Sequence, residues 1–128
     1  MHVFDRSTAH ASLSNEAIEV IRWEQFQGTD RLPFHGMWYS VFPGQSSPRD
    51  QHPELELSLV LAGVAEVEAA DGTITRVPSG SGFLLAGQES HIVHNSSPDT
   101  PVVVFSAYWM PEGHPDNAGV ENGQGADQ

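Results

Sequence analysis

Residues 44–63 read GQSSPRDQHPELELSLVLAG, and the placement of their carboxylates and their one imidazole decides the fold. Asp50, His52 and Glu56 stand at even positions leading into the strand-like LELSLVLAG. Side chains two apart on an extended chain share a face. An imidazole between two carboxylates on one face is half of a metal site. SHIVHN (90–95) offers the other half through His91 or His94. Imidazole and carboxylate together suit zinc, iron, manganese or nickel. The same parity divides residues 55–61. Glu56, Ser58 and Val60 face one way, and Leu55, Leu57, Leu59 and Leu61 the other. With Glu56 inside, the leucines point outward and need a cover, either the N-terminal segment or a second subunit. The opposite reading, with the leucines as core and Glu56 in water, leaves His91 without a partner.

The spacing resembles the cupin superfamily of small jelly-roll barrels. Its first motif is glycine, five residues, His-x-His, three or four residues, glutamate, six residues, glycine. Gly44, Asp50, His52, Glu56 and Gly63 fall on that register, with Asp50 in place of the first histidine. The second motif is glycine, five residues, Pro-x-Gly, two residues, histidine, three residues, asparagine. Gly80, His91 and Asn95 match it, with Ala86 and Gln88 replacing the proline and glycine. The resemblance spans residues 36–111. It implies an all-β, cupin-type jelly-roll barrel, one divalent ion held by Asp50, His52, Glu56 and His91, and a homodimer. Asp50 is either a fourth ligand or a group that orients an imidazole or moves a proton. His94 lies three residues beyond His91, so it has the opposite parity and is expected to leave the barrel.

Short strands fit the rest of the chain. MWYSVF (37–42), GFLLAG (82–87) and PVVVFSAYWM (101–110) read as strands, and residues 64–77 as a hairpin turning at Asp71–Gly72. AIEVIRWEQF (17–26) is ambiguous, with a cap signal in Ser14 or Asn15 against strand-forming Val20, Ile21 and Trp23, and the resemblance to the cupin fold implies a strand. Twelve glycines and nine prolines punctuate this pattern. Residues 1–112 are read as the barrel with an N-terminal extension, and 113–128, almost free of apolar residues, as a disordered tail.

Composition excludes several functions. The net charge is −12, lysine is absent, and the five arginines are scattered, so there is no basic patch for nucleic acid. An anionic membrane would repel the chain, and no run approaches the roughly 20 apolar residues of a spanning helix. Without lysine there is no Schiff base, and without cysteine no disulfide or thiolate ligand. A cytoplasmic location is expected.

The functional expectation is a metal-dependent enzyme acting on a small organic metabolite in natural-product biosynthesis, as a cyclase, isomerase, lyase or oxygenase. The metal would polarise the substrate, and Glu56 or Asp50 would move the proton. Tyr108 is a further catalytic candidate, having a phenolic proton to give. Arg49 is read either as an anchor for a substrate carboxylate or as the partner of Glu54. The Asp-x-His form of the first motif also resembles zinc cupin modules that form N–N bonds, and the rival class is a non-enzymatic cupin that only binds a small molecule.

Overall fold

A computed structural model describes residues 1–14 and 16–111. The expected tail at 113–128 lies outside the described residues. Nine strands occur: β1 (Ser12–Ser14), β2 (Ile18–Arg22), β3 (His35–Val41), β4 (Leu55–Ala62), β5 (Val64–Ala69), β6 (Ile74–Pro78), β7 (Gly82–Leu85), β8 (His91–His94) and β9 (Val102–Trp109). Three short 3-10 turns, Arg6–Thr8, Trp23–Gln25 and Thr29–Arg31, are the only helical elements among the described residues. None is long and apolar enough to cross a membrane.

The strands form two antiparallel sheets, one in the order β1-β2-β3-β9-β4-β7 and one in the order β6-β5-β8. Bridges from Ser46 to His94 and from Asp50 to His91 add the 46–50 segment to the edge of the smaller sheet. This is the two-sheet jelly-roll arrangement that the sequence leads one to expect. The cap-and-helix alternative for residues 17–26 fails because β-branched Ile18, Val20 and Ile21 pair with β3 over five residues.

Residues directly opposite one another in antiparallel strands face the same side. The register therefore gives the inner rows of the large sheet, and each changes character in the same direction. Along β2 the order is Ile18, Val20, Arg22; along β3, Val41, Tyr39, Met37, His35. Along β9 it is Val102, Val104, Ser106, Tyr108, and along β4, Val60, Ser58, Glu56. One end of the barrel is thus packed with valine. Val41, Val60, Val102 and Val104 are fully buried there, with Ala65, Val77 and Val93 from the small sheet. Each buried valine contributes about 1.5–3 kcal/mol. The other end is polar and open. Ser58 and Ser106, wholly buried at the transition, satisfy each other at 2.8 Å.

The outer face of the large sheet is covered in part. Phe4, Trp23 and Phe26 from the N-terminal segment pack on Trp38 and Phe105, with ring centroids 4.6–6.0 Å apart. The leucine row of β4 does point outward, as parity predicts, and Glu56 points in. The N-terminal aromatics do not cover it: Leu57, Leu59, Leu61 and, on β7, Leu84 stay 37–62% exposed.

Candidate metal centre

The polar end of the barrel gathers the expected donors. Asp50 and His91 face each other across the small sheet. The Asp50 amide donates to the His91 carbonyl at 2.9 Å, and the His91 amide to the Asp50 carbonyl at 3.0 Å. That reciprocal pair puts both side chains on one face. His52 lies two residues on. Its carbonyl accepts a hydrogen bond from the Gln88 amide at 2.6 Å, which ties the His52 loop to the turn just before His91. Gln88 stands where the motif has glycine, and its φ is +64°. The glycine register is thus explained by a left-handed turn that here carries a side chain, at about 1–2 kcal/mol.

The two imidazoles are oriented in the same way. His52 Nδ1 donates to the Glu54 carbonyl at 3.1 Å, and His91 Nδ1 to the Glu89 carbonyl at 3.1 Å. A carbonyl can only accept, so each Nδ1 carries the proton and each Nε2 is left to face outward from that bond. The rings meet edge to face with centroids 5.6 Å apart. His52 Nε2 is 4.0 Å from Asp50 Oδ2. One donor atom from each of Asp50, His52 and His91 lies within 4.8 Å of the others. Two ligands of one zinc-like ion, each about 2.0–2.2 Å from it, are at most about 4.4 Å apart. Small side-chain rotations therefore bring all three to a common ion. Two imidazoles and a carboxylate form a donor set suited to zinc, iron, manganese or nickel, so the residues present fit a metal.

Glu56 belongs to the same neighbourhood but is held differently. It is buried, and its Oε1 is 2.9 Å from His52 Nε2 while its Oε2 accepts from Ser58 Oγ at 3.3 Å. It is not in the set of three mutually close donors. Burial pushes the His52 pKa down, but the hydrogen bond to Glu56, the Glu56 and Asp50 charges and the Glu54 carbonyl together outweigh it and raise the pKa above the usual histidine value. A metal on Nε2 would compete with a proton for that nitrogen.

The other sequence candidates fall outside the cluster. His94 leaves the barrel as its parity requires: Nε2 bonds Glu68 at 2.7 Å and Nδ1 bonds Ser46 Oγ at 2.5 Å. Arg49 does not pair with Glu54. Its partners are Glu68 at 3.3 Å and Ser90 Oγ at 2.8 Å, reached across the edge of the small sheet. Glu54 instead approaches His52 Nδ1 at 3.5 Å. The Tyr108 hydroxyl accepts from Arg22 at 3.2 Å, and its ring stacks on His35 with centroids 5.5 Å apart. Partial burial and the Glu24 charge raise its pKa, against the opposing Arg22 charge. Asn95 of the second motif is structural, donating to the Val41 and Thr100 carbonyls.

A cavity of about 330 Å³ opens at this end, with Asp50, Glu56 and His91 in its wall. Tyr39 and Arg22 also line it and were not foreseen. Burial, and secondarily the Glu56 charge, push the Tyr39 hydroxyl far above its ordinary pKa, so it stays protonated. The parity of β2 and β3 would have placed both residues inward once the strand pairing was known.

Fold and site together define a jelly-roll barrel with a cluster of side chains at its open end that could hold a metal ion. The family model for the cupin domain matches residues 37–108, and the chain belongs to that family. A cupin 2 conserved barrel domain protein from Salinispora arenicola superimposes with a TM-score of 0.74 at 26% identity, covering 85% of this chain and 88% of that one. The polyketide cyclase RemF from Streptomyces resistomycificus gives 0.70 at 18% identity, covering 84% and 79%. A predicted oxalate decarboxylase from Thermotoga maritima gives 0.71 at 15% identity, covering 85% and 99%. The last two likenesses concern the fold alone. No curated protein matches the sequence.

Proposed function

We propose that the protein is a metal-dependent cupin enzyme that acts on a small organic metabolite, in the cytoplasm and within natural-product biosynthesis. The observation that carries this reading is the convergence of Asp50, His52 and His91 donors beside a cavity of about 330 Å³ that Asp50 and His91 line, with both imidazoles tethered through Nδ1. That volume is at the small end of ligand sites. A bound divalent ion would supply Lewis acidity toward a substrate oxygen or nitrogen. Asp50, His52 and His91 hold it, with Glu56 as the fourth donor or, through its contact with His52, as the proton carrier. Tyr39, kept protonated by burial, donates a hydrogen bond and does not act as a base. The exposed Asp50 carboxylate is the donor most open to exchange with solvent or substrate. The polyketide cyclase neighbour is the analogy for the metabolic setting.

The test is turnover with and without metal. Metal-loaded and chelator-treated protein are incubated with metabolite extract and the products followed by mass spectrometry. Conversion should need the metal and be lost in Glu56→Gln, which keeps the shape but cannot accept a proton. Binding of a metabolite with no conversion in either sample would leave a non-enzymatic binder in place of an enzyme.

The exposed leucines support a homodimer through the outer face of β4 and β7. A monomer seldom leaves so continuous an apolar row in water. Leu59→Glu should convert the protein to a monomer in sedimentation at micromolar concentration, with metal content unchanged. A wild type that sediments as a monomer contradicts this assembly.

A further inference from the structure

The structure assigns Arg22 as a binding point for a carboxylate on the small molecule that enters the barrel. This inference rests on the proposed function and names the substrate class. Two arginines line the cavity, Arg22 and Arg49. Arg49 is committed to Glu68 and Ser90. Arg22 has no carboxylate within ion-pairing distance among the described residues, although the chain carries twelve more acidic than basic charges. It ends the inward row Ile18, Val20, Arg22, and lies directly opposite Met37. Arg22 is exposed at the open end of the barrel, so its guanidinium is within reach of a ligand that enters from solvent.

One bond fixes it. Arg22 Nη1 donates to the Tyr108 hydroxyl at 3.2 Å, and the stacked His35 ring, itself 2.7 Å from Glu24, backs Tyr108. Guanidinium has five N–H donors in a planar fork, so most are left for a ligand. The two carboxylates whose charges act on Tyr108 have other partners, Glu24 with His35 and Glu54 with His52. Arg22 stands on the large sheet and Asp50 and His91 on the small one, and Ile18, Val20, Met37 and Val93 supply apolar wall to the same cavity. The matching ligand has a carboxylate at one end, a short apolar body, and an oxygen or nitrogen donor directed at the metal-binding cluster. Tyr108 is then a positioning residue for Arg22.

The test uses matched probes, benzoate with benzamide and salicylate with salicylamide, titrated by calorimetry into the full-length protein, with the metal content of every sample measured. The acids should bind at least about tenfold tighter than the amides, as a charge-assisted fork requires. Arg22→Met should erase that preference at unchanged metal content, Arg22→Lys should keep part of it, and Arg49→Met should leave it whole. The assignment is overturned if the preference survives in Arg22→Met, if Arg49→Met removes it instead, or if neither acid binds the wild type. Because metal content is read separately, loss of the carboxylate site and loss of the metal site are distinguishable.

Discussion

Replacing His91 with alanine should lower the affinity for a divalent ion by at least about a hundredfold while leaving the barrel folded. Removing a group that merely orients a ligand already costs about 10–100-fold in affinity, and losing a ligand costs more. The fold should survive because the bonds that pair residue 91 with Asp50 are backbone bonds, which alanine retains. His94→Ala is the internal control. It removes the same ring three residues away, but that ring is bonded to Glu68 and Ser46 on the other face. A zinc titration against a chromophoric chelator should therefore show a collapse for His91→Ala and a near wild-type affinity for His94→Ala. Equal affinities in the two variants would remove His91 from the centre.

The second large effect concerns stability. At Gly63 the chain passes from β4 in the large sheet to β5 in the small one, with φ at +76°. A Cβ there would stand 2.5 Å from the Pro101 carbonyl oxygen and 3.1 Å from the Val102 Cα, both backbone atoms at the start of β9. Gly63→Ala combines the left-handed penalty of about 1–2 kcal/mol with crowding of about 1–3 kcal/mol. That is a large part of a typical 5–15 kcal/mol, and should lower Tm by about 10 °C or more. Gly72 has φ +87° but nothing within 4 Å of the added atom. Gly72→Ala should show the backbone penalty alone, a few degrees. Equal shifts in thermal denaturation would mean that the crossing at Gly63 is not as tight as described.

What the sequence shows clearly is what a local period can carry. The alternation in β4 settles which way Glu56 and the leucines point, Asp71–Gly72 marks the β5–β6 hairpin, and the motif spacing brings His91 to His52. What it does not show depends on partners far apart in the chain. The 46–50 segment puts Ser46 beside outward-facing His94 and Asp50 beside inward-facing His91, so the side-chain alternation is interrupted between them. No parity count crosses that break. The aromatic cover comes from Phe4, in a segment with no strand period, and from Trp23 and Phe26, which the strand reading of 17–26 includes but which lie in and just after a 3-10 turn beyond the end of β2 at Arg22. Arg22 and Tyr39 became visible only when the pairing of β2 with β3 fixed which row lines the cavity. Arg49 was matched to Glu54 by closeness in sequence, whereas the fold brings it to Glu68 across the sheet edge.

The central claim, an ion held jointly by Asp50, His52 and His91, is tested most directly by anomalous diffraction from crystals of untagged protein, recorded on both sides of the metal's absorption edge. The account predicts one anomalous peak per chain at the open end of the barrel, with His52 Nε2, His91 Nε2 and an Asp50 oxygen each about 2.0–2.2 Å from it. A peak bound by both histidines but more than about 3.5 Å from Asp50, with water between, would contradict the ligand role of Asp50 and leave it as a proton carrier. An ion-bearing protein with no peak between these three residues would contradict the metal centre itself.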